Sequence, residues 1–149
     1  TVSEQYGAAI NACGWVAYEH AKAYIANPHT RIVGVTSRTR SSAEKLVAEL
    51  GLDCRIYPSY EELLADDEVD IVSVTTPNFL HASDAIAAAQ AGKHITLEKP
   101  AGIHEEELDE LAAAYPRDWF RSAPVVIVVC MAQSDVSGVI EGLDDPLGP

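Results

Sequence analysis

Val69-Asp70-Ile71-Val72-Ser73-Val74-Thr75, running into Thr76-Pro77-Asn78 near the middle of a 149-residue chain, decides the fold. From Val69 to Thr75 the stretch is predominantly apolar rather than alternating, as strands buried on both faces of a parallel sheet are. An alanine-rich helix from about Phe79 to Ala91 follows and stops at Gly92. The alternation repeats outward. Toward the N-terminus, Tyr6 to Ile10 reads as a strand, and a helix from about Trp15 to Ala26 is broken by Asn27-Pro28-His29. Arg31 to Thr36 is a strand rich in β-branched residues. Ser41-Ser42-Ala43-Glu44 has capping-box spacing, Ala43, Leu46, Val47 and Leu50 share one helical face, and Gly51 suits a helix C-terminus. Cys54 to Tyr57 is a short strand, and Ser59-Tyr60-Glu61-Glu62 a second capping box opening a helix to about Ala65. Toward the C-terminus, His94 to Leu97 is a fifth strand, Glu105 to Ala114 a helix, and Val125 to Cys130 a sixth strand. Strands alternating with helices through short connections make right-handed βαβ units and a parallel sheet. The expectation is one α/β domain over residues 1–130, an irregular loop at 115–124, and an irregular tail at 131–149.

Composition excludes several classes. With 48% hydrophobic and 22% charged residues, the chain can bury a core as one domain. Asp and Glu outnumber Lys and Arg by 23 to 10, a formal charge of -13 that repels phosphate backbones; no basic patch offsets it, so nucleic acid is set aside. The longest apolar run, Val125 to Ala132, is far short of the roughly 20 residues a membrane helix needs. The first residues carry no basic start and no apolar signal core, so secretion is unsupported. Cys13, Cys54 and Cys130 are odd in number and widely spaced, as buried thiols in a reducing compartment are. A cytoplasmic protein is expected. His20, His29, His94 and His104 show no ligand spacing, and no metal is assigned.

Three turns fall at the carboxyl ends of three strands: Ala12-Cys13-Gly14-Trp15-Val16-Ala17, Thr75-Thr76-Pro77-Asn78 and Glu98-Lys99-Pro100. In open α/β sheets such turns meet at one crevice, where ligands bind. The first matches the dinucleotide pattern G-x-G-x-x-G/A in its second and third positions, Gly14 and Ala17. Its first position is Ala12, whose Cβ resists positive φ. The alternative is that Gly14 marks only a strand-to-helix turn. Asn11, polar near the end of a central strand, needs a partner. Where NAD sites place an acid after the second strand, this chain has Ser37-Arg38-Thr39-Arg40, beginning 23 residues after Gly14. A guanidinium with flanking hydroxyls suits a 2′-phosphate, which favours NADP, with NAD the alternative; a solvated basic loop is the bland reading.

The residues from about 6 to 114 resemble the N-terminal Rossmann domain of the glucose-fructose oxidoreductase / inositol dehydrogenase / rhizopine-catabolism (Gfo/Idh/MocA) oxidoreductases. The likeness runs through Cys13-Gly14-Trp15, Ser37-Arg38, Tyr60-Glu61-Glu62-Leu63-Leu64, Asp70-Ile71-Val72, Thr76-Pro77-Asn78-Phe79-Leu80-His81, Ala91-Gly92-Lys93-His94 and Glu98-Lys99-Pro100. It implies a doubly wound parallel sheet of about six strands. It also implies hydride transfer between a nicotinamide ring and a sugar, cyclitol or related hydroxyl carbon. By position, Ala12, Cys13, Gly14, Trp15, Val16, Ser37, Arg38 and Thr39 would hold the cofactor. Thr76, Pro77 and Asn78 would lie along it, with His81 close behind. Glu98 would touch its ribose or nicotinamide side, and Lys99 would reach both cofactor and the reacting hydroxyl as the catalytic residue. The competing readings are a helix cap for Asn78, a first-turn surface position for His81, and a solvated pair for Glu98 and Lys99.

The chain departs from that family at Ala12 and after about Tyr115, where the family's second, substrate-holding domain has no counterpart. A fragment or a short relative is therefore expected, with apolar surface left uncovered and self-association into a homo-oligomer favoured. The principal alternative to an NAD(P)-dependent oxidoreductase acting on a sugar-like small molecule is a non-catalytic nucleotide-binding or sensing module of the same descent.

Overall fold

Strand β1 (Tyr6–Asn11) runs through the middle of a five-stranded sheet in a computed structural model that describes residues 5–114. Around it the chain forms α1 (Trp15–Ala26), β2 (Thr30–Thr36), α2 (Arg40–Leu50), β3 (Arg55–Tyr57), α3 (Tyr60–Leu64), β4 (Ile71–Val74), α4 (His81–Gln90), β5 (His94–Leu97) and α5 (Glu105–Ala114). The sheet order is β3-β2-β1-β4-β5, with every pair parallel. Strands one to three wind outward in one direction and four and five in the other. The order therefore switches between β1 and β4, where Ile10 pairs with Ser73 and Asn11 with Val74. The crevice beyond the carboxyl ends of the strands opens at such a switch point.

Burial on both faces follows from the strand pattern. Ala9, Val33, Val72, Val74 and Tyr57 pack with Leu63 of α3 and Ala88 of α4. Ile10 and Val35 pack on the other face with Ala17 and Ala21 of α1 and Ala43 and Leu46 of α2. Neighbours in sequence, Ala9 and Ile10, thus serve opposite faces, as strand geometry requires. Leu46 and Leu63 are fully buried, each contributing about 1.5–3 kcal/mol of transfer free energy.

The expected elements form, with boundary shifts. Ser59 caps α3 as its spacing predicts, its Oγ accepting from the Glu62 amide at 3.2 Å. The first capping box fails. Helix α2 starts one residue before Ser41, with Thr39 at the cap position and no side-chain cap bond. Gly51 closes α2 in the left-handed region, at φ 62°. The helix expected from Phe79 begins instead as a 3-10 turn, Asn78–Leu80, before α4 proper. The sixth strand, the loop at 115–124 and the tail lie outside the described residues. Among the described residues no helix is long and apolar enough to cross a membrane.

Candidate functional site

At the end of β1 the chain turns through Ala12, the only non-glycine residue among the described ones with positive φ, 78°. Its amide donates to the Thr36 carbonyl at 2.9 Å, and its own oxygen lies 2.8 Å from the Thr75 hydroxyl. Bonds to β2 and to the end of β4 hold the residue in a conformation an alanine resists. Gly14 follows with φ −79° and ψ −174°, which any residue adopts, and a Cβ placed there would meet nothing within 4 Å. Neither backbone nor internal packing asks for glycine. What its missing side chain leaves open is the space in front of α1. That helix starts without a side-chain cap and with no acid in its first turn, so its leading amides and dipole face the opening.

The ends of β4 and β5 complete the crevice. Asn11, the polar residue that required a partner, finds Asp84 of α4: its Nδ2 donates to Oδ2 at 3.2 Å. Thr76 donates to the same oxygen at 2.8 Å, and the Tyr60 hydroxyl donates to the Asp84 carbonyl at 2.9 Å. Burial pushes the Asp84 carboxyl above its ordinary range, against the lowering pull of those donors. His81 is 1% exposed, not the surface residue of the competing reading. Its ring nitrogens lie 2.8 Å from the Thr76 carbonyl and 2.7 Å from the Pro100 carbonyl, so they are occupied by the protein rather than offered to a ligand. It ties the Thr76 turn to the Lys99-Pro100 turn, whose peptide bond is cis. Glu98 is not half of a solvated pair with Lys99: its Oε1 lies 2.8 Å from Nε2 of buried His20. The cap positions of the 3-10 turn and of α4 fall on Pro77 and Leu80, and Asn78 is the first residue of the turn itself, which removes its capping role.

The result is a groove of about 730 Å³, within the range of small-molecule sites. Every site residue expected from the sequence lines it: Ala12 to Val16 from the first turn, Ser37, Arg38 and Thr39 from the second, Thr76, Pro77, Asn78 and His81 from the third, and Glu98 and Lys99 from the last. Ser42 and Tyr60, which the sequence marked only as parts of helix-start and family patterns, and Asp84, which it did not mark, line it too. Cys13 also lies on it, its thiol pushed up to about 12 by burial and therefore unreactive; Cys54 is likewise raised to about 11.

Charge singles out two of these residues. Lys22, Arg31, Arg40, Lys45 and Arg55 each pair with a carboxylate, and Lys93 donates to the Asp66 carbonyl. Arg38 and Lys99 alone among the described lysines and arginines have no hydrogen bond or ion pair, and both line the groove. In a chain of net charge -13, two cations without partners at one crevice are complementary to an anionic ligand.

A parallel sheet wound in two directions, with a glycine turn opening a helix at the switch point, defines a nucleotide-binding type of α/β domain. Residues 8–118 match the model of the Gfo/Idh/MocA oxidoreductase family, NAD-binding Rossmann fold. The chain belongs to that family. It is 41% identical over 92 residues to a UDP-N-acetylglucosamine 3-dehydrogenase of Acidithiobacillus ferrooxidans, covering 62% of this chain and 28% of that protein. It is 39% identical over 94 residues to D-xylose 1-dehydrogenase (NADP(+)) 2 of Haloferax volcanii, covering 63% and 27%. The crystal structure of GenD2 from gentamicin A biosynthesis, in complex with NAD, superposes with a TM-score of 0.70 at 30% identity over 76% of this chain and 32% of that one. The matched stretch thus spans less than a third of each of these proteins.

Proposed function

We propose that this chain binds NADP in the groove, with NAD as the weaker alternative, as the cofactor domain of an oxidoreductase. The reaction moves hydride between the nicotinamide ring and a hydroxyl carbon of a sugar, cyclitol or related small molecule. The observation that carries the cofactor choice is Arg38, unpartnered at the end of β2 and flanked by the hydroxyls of Ser37 and Thr39. A rigid guanidinium fork suits a 2′-phosphate, and no acid stands there to take ribose hydroxyls instead. The opening at Gly14 and the bare N-terminus of α1 suit the pyrophosphate. Thr76, Pro77 and Asn78 flank the dinucleotide, and the Lys99 ammonium is placed to polarise the reacting oxygen or to carry its proton. The bound cofactor supplies the hydride chemistry; these residues bind, orient and handle the proton.

Fluorescence titration with NADPH and NADH tests this reading. Arg38→Ala should weaken NADPH binding by about tenfold to a hundredfold, the value of a hydrogen bond to a charged group, and leave NADH nearly unchanged. Equal losses would remove the NADP assignment. The unpaired thiols of buried Cys13 and partly buried Cys54 fit a reducing cytoplasm, and exposed Ile103 and Leu108 suit a homo-oligomer, which sedimentation checks. A second reading, a nucleotide-binding module without turnover, draws on the strain at Ala12. Hydride transfer that depends on Lys99 would exclude it.

A further inference from the structure

Helix α1 carries a histidine on the face it buries. Ala17, His20 and Ala21 are its buried residues, and an imidazole among alanines needs polar partners. His20 has them on both sides: Nδ1 lies 2.9 Å from Ser73 Oγ, and Nε2 lies 2.8 Å from Glu98 Oε1. Ser73 is fully buried in β4 and also meets the Tyr24 hydroxyl at 3.0 Å, which in turn meets Thr96 Oγ1 at 2.9 Å. A chain of five polar groups therefore crosses one face of the sheet and ends at the groove wall, where Glu98 stands.

A carboxylate only accepts, so the hydrogen between His20 and Glu98 belongs to Nε2. The Glu98 side chain is 14% exposed, and its second oxygen, Oε2, has no partner among the described residues. The geometry points to His20 as the positioning residue for Glu98. By drawing Oε1 inward it fixes the carboxylate's orientation and leaves Oε2 as the one acceptor available to a hydroxyl or amide donor of the bound dinucleotide. The role rests on the dinucleotide reading of the groove. Ser73, Tyr24 and Thr96 hold the imidazole from behind, which sets the plane in which it reaches Glu98.

Two substitutions in the full chain separate this role from packing. In His20→Gln the amide nitrogen reaches about as far as Nε2 and still donates to Glu98. In His20→Asn the shorter amide keeps the Ser73 contact and loses Glu98. The NADPH dissociation constant should stay within about threefold in His20→Gln and rise about tenfold or more in His20→Asn, the loss of one charge-assisted hydrogen bond. Equal dissociation constants in the two variants would overturn the positioning role while leaving the dinucleotide reading intact. An unmodified chain that binds neither NADPH nor NADH would remove both. Nitrogen NMR of the unmodified protein gives an arm that needs no variant to fold: His20 Nε2 should be protonated, and an unprotonated Nε2 would overturn the inference.

Discussion

Ala12 occupies the left-handed region at a turn where a Cβ costs about 1–2 kcal/mol, and two hydrogen bonds, one to β2 and one from the end of β4, hold it there. Ala12→Gly should therefore raise stability by about 1 kcal/mol, less the extra chain entropy of glycine, seen as a higher urea midpoint at unchanged slope. No gain would mean the turn tolerates its alanine without strain. Gly14 is the reverse case, since its backbone and surroundings accept a side chain. Gly14→Ala should cost stability no more than about 1 kcal/mol as a poorer cap, yet weaken NADPH binding about tenfold or more by filling the space before α1. These two positions and Arg38 were legible in the sequence because each belongs to a short pattern with fixed spacing. His20 and Asp84 were not, because their partners lie 53 to 78 residues away from His20 and 73 from Asp84 at Asn11. A signal was present for His20: it falls three residues after Ala17 on the same helical face, so its burial could have been read from periodicity.

The strands were legible because a sheet covered on both faces demands predominantly apolar runs, and the consecutive residues Val72, Ser73 and Val74 are all buried, Ser73 with its hydroxyl hydrogen-bonded. Capping was less so. Ser41 and Ser59 have the same spacing to a glutamate, but only Ser59 caps, since α2 begins two residues earlier than its box requires. Close approach between elements also escapes spacing rules. A Cβ on Gly7 of β1 would lie 1.8 Å from the Glu68 carbonyl oxygen, which is backbone and cannot rotate away. Gly7→Ala should cost more than about 3 kcal/mol, read as a large fall in urea midpoint. In the first turns of α4, Asp84 binds Asn11 and Thr76 while burial raises its pKa. A carboxyl with a raised folded pKa adds stability below its unfolded value and loses it as pH climbs through the folded one. Asp84→Asn should thus be more stable than the unmodified chain near neutrality, and the two should converge below about pH 4, where both side chains are neutral. Urea midpoints at both pH values check this; a gap that widens in acid would refute it.

At the scale of the whole molecule, the net charge of -13 opposes the phosphorylated dinucleotide proposed for the groove. A compact domain of this size would have a radius of gyration of about 15 Å, which puts a phosphate in the groove on the order of 20 Å from the mean charge, at about 0.2 kcal/mol per charge pair in unscreened water. Summed over the net charge, that is about 2–3 kcal/mol for each negative charge on the ligand. NADPH carries roughly two more negative charges than NADH through its phosphate monoester. At an ionic strength of about 0.01 M the screening length is about 30 Å and much of this repulsion survives; at about 0.15 M it is about 8 Å and most is gone. A guanidinium in contact with the 2′-phosphate, at about 3 Å, lies well inside both lengths. The preference for NADPH over NADH should therefore increase, by about tenfold or more, as salt rises between those limits, although simple ion pairing predicts a decrease. Titrating both cofactors across the salt range decides between the two. A preference that falls with salt would show that the local cations outweigh the field of the whole chain.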